Sequence, residues 1–177
     1  MDTLQFFYRS RDCPAGSGAG ETVENSKDYS KLNDVKNWRQ TFSSLWDKES
    51  FKYIGKTFKS HEHALQSCKF RINGHFEIAD SFTVESGSKL GKGTGLDARK
   101  ARKTVMLTLK EMENWNNVIG KIKDEIYICK YTQCPTAKKA LMLTGNAQLI
   151  SGGPRLKRIR CTRLEKTRKF LQENFMM

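Results

Sequence analysis

The chain has 177 residues, enough to bury a hydrophobic core and few enough to form one domain. An apolar fraction of 37%, with three Trp and ten Phe, excludes a disordered chain. The 32 Lys and Arg outnumber the 19 Asp and Glu, and the resulting net charge of +13 favours polyanionic or phosphorylated partners.

Hydropathy and cysteine usage predict the cellular compartment of the protein. No apolar run approaches the roughly 20 residues that a membrane span needs, and the opening MDTLQFFYRSRD lacks an apolar signal core. The five cysteines are odd in number and lack CxxC spacing, which suits a reducing compartment and argues against a zinc site. We expect a soluble cytoplasmic protein with no membrane partner and no zinc or other metal site. The oligomeric state stays open.

The first half of the chain shows four local patterns. LQFFYRS predicts a short strand, and CPAGSGAGE predicts a loop that matches neither a Walker motif nor GxGxxG. LNDVKNWRQTFSSLW predicts a helix in its first part, because Leu32, Val35 and Trp38 have helical spacing. FKYIGKTFKS alternates around Gly55 and predicts a small hairpin.

The second half is dominated by helical patterns. LDARKARK predicts a short basic helix, and a long helix is expected from about Leu109 to Tyr131 on an apolar stripe that begins at Trp115. After Pro135, TAKKALMLTG predicts a helix that ends at Gly145, and a C-terminal helix follows. These patterns predict a mainly helical, single α+β domain with a small β-hairpin or sheet element.

The segment KSHEHALQSCKFR combines a helix start with several polar groups. Ser60 is a good N-cap, and Glu62 then lies in the first turn on the same face as Gln66 and Lys69. The helix dipole stabilises a carboxylate there, so Glu62 is either an ordinary first-turn acid or a group placed to stabilise developing positive charge. The histidines do not form an HExxH zinc motif, because the position it requires is Leu65.

A basic run extends from Arg155 to Lys169 and carries eight cations and one acid. It is either the solvated face of a terminal helix or a surface for DNA or RNA. In the second interpretation, the nucleic-acid surface includes Arg158, Arg160 and Arg163.

Several segments, taken in order, resemble the NADAR superfamily. SHEHALQSCKF resembles its Ser-x-Glu-His-x-x-Gln-x-x-Lys-Phe signature, and WNNVIGKIKDEIYICKYTQCP resembles its long helix ending in Lys-Phe-x-Gln-x-Pro. WRQTFSSLW, LMLTGNAQLI and RLEKTRKFL resemble further family segments. The opening FFYRSRD with PAGSGAGE, within residues 1–30, is similar to the extension of eukaryotic and large-DNA-virus members. If the protein is viral, the cytoplasm in question is that of the host.

The resemblance implies an N-glycosidase that hydrolyses the C–N bond of a phosphorylated ribosyl or ADP-ribosyl substrate. In characterised members this is a phosphoribosylamino-pyrimidine of the riboflavin pathway or ADP-ribosylated guanine. The transition state resembles an oxocarbenium ion, which a carboxylate stabilises. By this resemblance the catalytic residues are Glu62, Gln66 and Lys130. Candidates for substrate binding are Trp46, His63, Lys69, Lys103 and Trp115.

The chain also departs from the family pattern. Ser44, Asn116 and Asn146 replace an Asn and two acids, and SGGPRLKRIR replaces a late acidic segment. A second carboxylate has three candidates among which spacing does not choose: Asp47, Asp97 and Asp124. The exchange of acids for basic residues favours ADP-ribosylated DNA or RNA as the substrate. It also leaves a second function class open, a catalytically impaired relative that binds nucleic acid or ADP-ribose through its basic surface.

Overall fold

The computed structural model describes residues 1–153 and 155–175. It is a mainly helical α+β structure with a mixed three-stranded sheet and a two-stranded hairpin, so the predicted fold class is confirmed. Contacts between residues divide the chain into two compact units, Met1–Ser43 with Cys134–Met177 and Ser44–Gln133. The expectation of one domain over residues 1–177 stays a prediction.

The secondary-structure elements have the following bounds. The strands are β1 (Thr3–Phe6), β2 (Phe51–Tyr53), β3 (Lys56–Phe58), β4 (Gln148–Ser151) and β5 (Ile159–Arg160). The α-helices are α1 (Trp38–Thr41), α2 (His61–Ile72), α3 (Phe76–Ser81), α4 (Gly95–Lys100), α5 (Leu109–Gln133), α6 (Pro135–Leu143) and α7 (Thr162–Phe175). Short 3₁₀ helices cover Ser26–Asp34 and Ala101–Lys103. Within the described part of the chain, no helix combines the length and apolar character that crossing a membrane requires.

The first unit is built on the three-stranded sheet, whose order is β1-β4-β5. β1 runs parallel to β4 with Leu4 opposite Leu149, and β5 pairs with β4 in the antiparallel direction. Both leucines are buried, together with Leu164 and Leu171 of α7. Burial of these apolar side chains stabilises strands that are only two to four residues long. The strand predicted in LQFFYRS and the helix predicted in TAKKALMLTG are confirmed.

The helix predicted through Trp38 is wrong as a continuous element. A 3₁₀ helix ends at Asp34, Val35 is extended with φ −106° and ψ 97°, and Asn37 is left-handed with φ 55° before α1 begins at Trp38. Asparagine tolerates this conformation because its short polar side chain bonds locally. Leu32, Val35 and Trp38 are nevertheless all buried, so the spacing correctly identified residues of the core but not their backbone conformation.

The second unit begins with the predicted hairpin. β2 and β3 pair in antiparallel register, with Phe51 opposite Phe58, and their turn places Ile54 and Gly55 at φ 48° and 72°. Gly55 fits this turn without strain because glycine adopts positive φ readily. The predicted hairpin around Gly55 is therefore confirmed.

A close backbone approach fixes the position of α4 in the second unit. A Cβ atom at Gly95 would lie 2.1 Å from the carbonyl oxygen of Leu45, so only glycine fits there. The amide of Gly95 also donates to Oδ2 of Asp47 at 3.0 Å. The start of α4 therefore lies against residues 45–47, and its side chains reach the segment around Ser44.

The long predicted helix is present as α5, two residues longer than expected at its end. Trp115, which begins the apolar stripe, is 5% exposed, and Ile126 is fully buried. The side chain of Gln133 bonds both backbone groups of Lys52, and Tyr53 donates its hydroxyl to Glu125 at 2.6 Å. These bonds join α5 to β2.

A buried ion pair organises the Gly-rich loop of the first unit. Arg39 of α1 donates from Nη2 to Glu21 at 2.8 Å, and the two side chains are 3% and 0% exposed. The Glu21 carboxylate also accepts from the amides of Gln5, Gly16 and Gly18. Burial opposes ionisation of Glu21, but the bonds from Arg39 and these amides outweigh it and hold the pKa below its usual value.

Replacing Glu21 tests the importance of this pair for stability. Glu21→Gln leaves the Arg39 guanidinium buried without its counter-charge, and we expect a loss of about 3–5 kcal/mol in the free energy of unfolding. Urea denaturation followed by circular dichroism measures the change. The matched control is Glu24→Gln, since Glu24 is exposed and its ion pair with the chain's amino group lies at the surface; it should change stability by less than about 0.5 kcal/mol. Equal effects of the two substitutions would contradict the role assigned to Glu21.

Candidate active site

The site is built on α2, a helix that is buried on nearly all sides. Nine of its twelve residues are buried, including the polar residues His61, Glu62, His63, Gln66 and Ser67. Ser60 is extended and its hydroxyl accepts from the amide of His63 at 3.2 Å, so the predicted N-cap is confirmed. This cap places Glu62 in the first turn.

Glu62 is held by side chains of its surroundings. Its Oε1 accepts from Nε2 of Gln66 at 2.9 Å, and its Oε2 lies 3.5 Å from Oγ of Ser44 and 3.4 Å from Nη2 of Arg99. The side chain is 7% exposed. No backbone amide of α2 donates to this carboxylate within residues 1–153 and 155–175. The arrangement differs from that of a helix-capping acid, whose carboxylate would bond amides of its own first turn.

Arg99 is a site residue that the sequence did not indicate. It lies on α4, donates to Oγ of Ser44 at 2.9 Å and reaches Glu62, with its side chain 41% exposed. The basic segment LDARKARK predicts a helix, but the sequence pattern alone does not indicate which of its four cations belongs to the site. Arg99 is distinguished only by the packing of Gly95 on Leu45, which no local pattern encodes.

Gln66 has one polar atom that is not satisfied. Its Nε2 bonds Glu62, whereas its Oε1 is buried and has no donor among the described residues. Buried polar atoms are almost always hydrogen-bonded in folded proteins. A hydroxyl or amino group of a bound molecule would satisfy this atom.

Lys130 and Trp46 come together as a cation and an aromatic ring. Lys130 is 2% exposed, and its Nζ lies 5.4 Å from the ring centroid of Trp46 and 5.1 Å from that of Tyr131. A desolvated ammonium at such distances is attracted by the ring faces. Trp46 is half-buried, whereas Trp115 belongs to the core, so Trp46 is the tryptophan with a face available for contact.

The other predicted ligands have contacts of their own. His63 is fully buried, with Nδ1 2.8 Å from Oγ of Ser60 and Nε2 3.1 Å from the carbonyl of Leu90. These contacts fit a structural role for His63. Nζ of Lys69 donates to the carbonyl of Arg102 at 3.0 Å, and burial, with the charge of Arg102, lowers the pKa of Lys69. Lys103 is exposed on the adjacent 3₁₀ helix.

The candidates for a second carboxylate have other roles or positions. Asp97 accepts from the amide and hydroxyl of Thr94, and these bonds hold its pKa below the usual value. Asp47 accepts from the amide of Gly95, so both acids stabilise the start of α4. Asp124 is exposed on α5. None of the three bonds Glu62 in the part of the chain that the structure describes.

The three residues that differ from the NADAR pattern lie in different surroundings. Ser44 lies in the site, because its carbonyl accepts from the amide of Glu62 at 3.0 Å and its hydroxyl lies beside the carboxylate. Asn116 is exposed on α5 of the second unit. Asn146 is exposed in the first unit.

The basic run Arg155–Lys169 divides into three kinds of residue, all in the first unit. Arg168 is 6% exposed and donates to Thr144 and to the carbonyl of Ala147, so it is a core residue. Arg160 pairs with Glu165 at 2.8 Å. Arg158 is exposed and Arg163 is half-buried. The run therefore presents fewer surface cations than its sequence suggests.

Comparisons with known proteins returned no relatives: no family model, curated protein or solved structure matches the chain. Within the described residues, no group of three or more His, Cys, Asp and Glu side chains is arranged to hold a metal ion.

The buried imidazole of His63 predicts how stability depends on pH. Burial lowers the pKa of His63 below its usual value of about 6.5, so the unfolded chain binds this proton at a higher pH than the folded chain. Stability is therefore full above pH 6.5 and falls as the pH decreases toward the folded-state pKa. We therefore expect His63 to contribute to a loss of stability between pH 7.5 and 5.5.

Urea denaturation of the wild type and His63→Gln at the two pH values measures this contribution. The substitution lowers stability at both values, but it should make the difference between them smaller. An unchanged difference would show that other groups carry the pH dependence.

Proposed function

We propose that the protein is an N-glycosidase that hydrolyses the C–N bond between a ribosyl group and a base, with Glu62 as its carboxylate. One observation carries the proposal. Glu62 is almost fully buried, yet its oxygens contact the side chains of Gln66, Ser44 and Arg99, and no backbone amide of its own helix donates to them among the described residues. A carboxylate positioned in this way is preorganised for chemistry, because its orientation does not have to change during the reaction.

The chemistry follows from the charge of Glu62. As the C–N bond breaks, its electron pair moves to the nitrogen of the base and positive charge develops on the anomeric carbon. The carboxylate stabilises this charge and orients the attacking water, whose oxygen bonds the anomeric carbon and whose proton passes to Glu62 and from there to the nitrogen of the departing base. The reaction needs water and no cofactor.

The neighbouring residues have supporting roles in this proposal. Gln66 and Arg99 hold the two carboxylate oxygens, and Oε1 of Gln66 accepts a bond from a hydroxyl or amino group of the substrate. Trp46 offers a ring for the base, with the Lys130 ammonium nearby. The resemblance of SHEHALQSCKF to the NADAR signature supports the same assignment.

The substrate is a phosphorylated ribosyl or ADP-ribosyl compound. The two classes are a phosphoribosylamino-pyrimidine and ADP-ribosylated guanine in DNA or RNA. The net charge of +13 favours the second, because a basic protein attracts a polyanion. A cytoplasmic location fits either substrate and stays a prediction.

A second function is favoured by the exposed residues 155–160, which include Arg155, Lys157 and Arg158. In this case the protein is a catalytically impaired NADAR relative that binds nucleic acid or ADP-ribose through its basic surface. The loss of family acids at Asn116 and Asn146 fits this function. Binding would then weaken as salt increases, because each neutralised phosphate releases counterions.

Replacing Glu62 separates the two functions. We expect the wild type to hydrolyse a phosphoribosylamino-pyrimidine or guanine-ADP-ribosylated DNA. Glu62→Gln should lower turnover by about 10²–10⁴-fold, as loss of a catalytic acid or base does. The release of free base, separated by chromatography, measures turnover.

The matched control is Glu77→Gln, the same change at an exposed acid of α3 in the same unit, and it should keep full turnover. If the wild type turns over neither substrate but retains DNA in a salt-sensitive way, the binding function replaces the enzyme. Neutralising Arg158, Arg160 and Arg163 together should then release the DNA.

A further inference from the structure

A cavity of about 430 Å³ lies in the first unit, beside the Gly-rich loop. Its walls come from β1 and the residues after it, from the loop, from α1 and from Gly153. The volume falls within the range of about 300–1,000 Å³ that small-molecule sites occupy. The sequence did not point to this cavity, because its loop matches no phosphate-binding motif.

Arginine determines the charge of the cavity. Arg39 lines it, but its charge is balanced by the buried carboxylate of Glu21. Arg9 and Arg11 also line it, and both are exposed and form no ion pair with any described residue. The residues that line the cavity, all of them described, include no Asp or Glu. The excess of positive charge favours an anion, and guanidinium groups bind phosphate oxygens through charge-assisted hydrogen bonds.

Gln5 adds an unsatisfied acceptor to the cavity wall. Its Nε2 donates to the carbonyl of Gly152 at 2.8 Å, which fixes the amide, because the flipped orientation would bring two oxygens together. Its Oε1 is buried and has no donor among the described residues, and the residue as a whole is 7% exposed. A ligand with a hydroxyl or amino group would satisfy this atom.

Phe7 gives the cavity a flat apolar wall. Its ring lies against the backbone of Gly153, where an added Cβ atom would be 3.0 Å from both Cδ2 and Cε2 of the ring. This contact restricts the ring, and Phe7 is half-buried. A restricted aromatic ring at the edge of a cationic cavity suits a planar heterocycle.

We propose that this cavity is a nucleotide-binding site. Arg9 and Arg11 bind the phosphate, the ring of Phe7 packs against the base, and Oε1 of Gln5 accepts a bond from a hydroxyl or amino group. The site belongs entirely to the first unit and does not depend on the chemistry of Glu62.

Calorimetry with AMP, adenosine and inorganic phosphate tests the ligand class. We expect AMP to bind at least about tenfold more tightly than either fragment, because only AMP uses the arginines and the ring together. Arg9→Gln combined with Arg11→Gln should weaken AMP binding at least about tenfold. Lys31→Gln combined with Lys36→Gln is the matched control, since both lysines are exposed in the same unit away from the cavity. It should leave AMP binding unchanged.

Alkylation of Cys13 locates the ligand. Cys13 and Cys161 are both half-buried cysteines of the first unit; Cys13 lines the cavity, whereas Cys161 does not. At AMP ten times above its Kd, the rate of Cys13 modification by iodoacetamide should fall about tenfold, in proportion to the free protein, while the Cys161 rate is unchanged. Peptide mass spectrometry measures both rates.

Ala19→Glu supplies a second variant that does not depend on the arginines. Ala19 is exposed and lines the cavity, so the added carboxylate repels phosphate without disturbing the core. It should weaken AMP binding at least about tenfold. Absence of AMP binding, equal weakening by the arginine and lysine variants, or AMP binding without Cys13 protection would each overturn the proposal.

Discussion

The second unit depends on one constraint: α2 buries polar side chains on nearly every face, and their burial is costly wherever they lack a hydrogen-bond partner. Ser60 and the carbonyl of Leu90 bond the two ring nitrogens of His63, and Ser67 donates to the carbonyl of Ala79 at 2.8 Å. These bonds tie α2 to α3 and to the loop before α4. The helix is therefore held by directed polar contacts as well as by apolar packing.

The same constraint gives the candidate site its geometry. Glu62 needs compensation for its burial, and the second unit supplies it through Gln66, Ser44 and Arg99. Since Ser44 and Arg99 come from separate segments, the carboxylate is fixed from two directions. A group fixed in this way is well suited to stabilise charge that develops during a reaction. Stability and proposed chemistry therefore rest on the same bonds.

The first unit uses an ion pair for a comparable purpose. The side chains of Glu21 and Arg39 are both buried, and the carboxylate also accepts hydrogen bonds from backbone amides of the Gly-rich loop. Glycines make this possible because the loop backbone approaches the carboxylate closely, and a Cβ at Gly18 would lie 2.6 Å from Cδ of Glu21. The ordered loop in turn forms one wall of the cavity between Arg9, Arg11 and Phe7. The buried carboxylate of Glu21 therefore orders the loop beside a cavity in which Arg9 and Arg11 supply the positive charge.

The sequence by itself determined the features that depend on near neighbours in the chain. The hairpin at Gly55, the Ser60 cap, the Glu62–Gln66 contact and the extent of α5 follow from turn, capping and helical spacing. Tertiary structure decided what depends on distant segments. The break at Asn37, the selection of Arg99 among equivalent cations and the burial of Arg168 result from packing between residues far apart in the chain. The physical reason is that local patterns report backbone preference and amphipathic faces, whereas the partner of a buried charge is chosen by which segment fits against it.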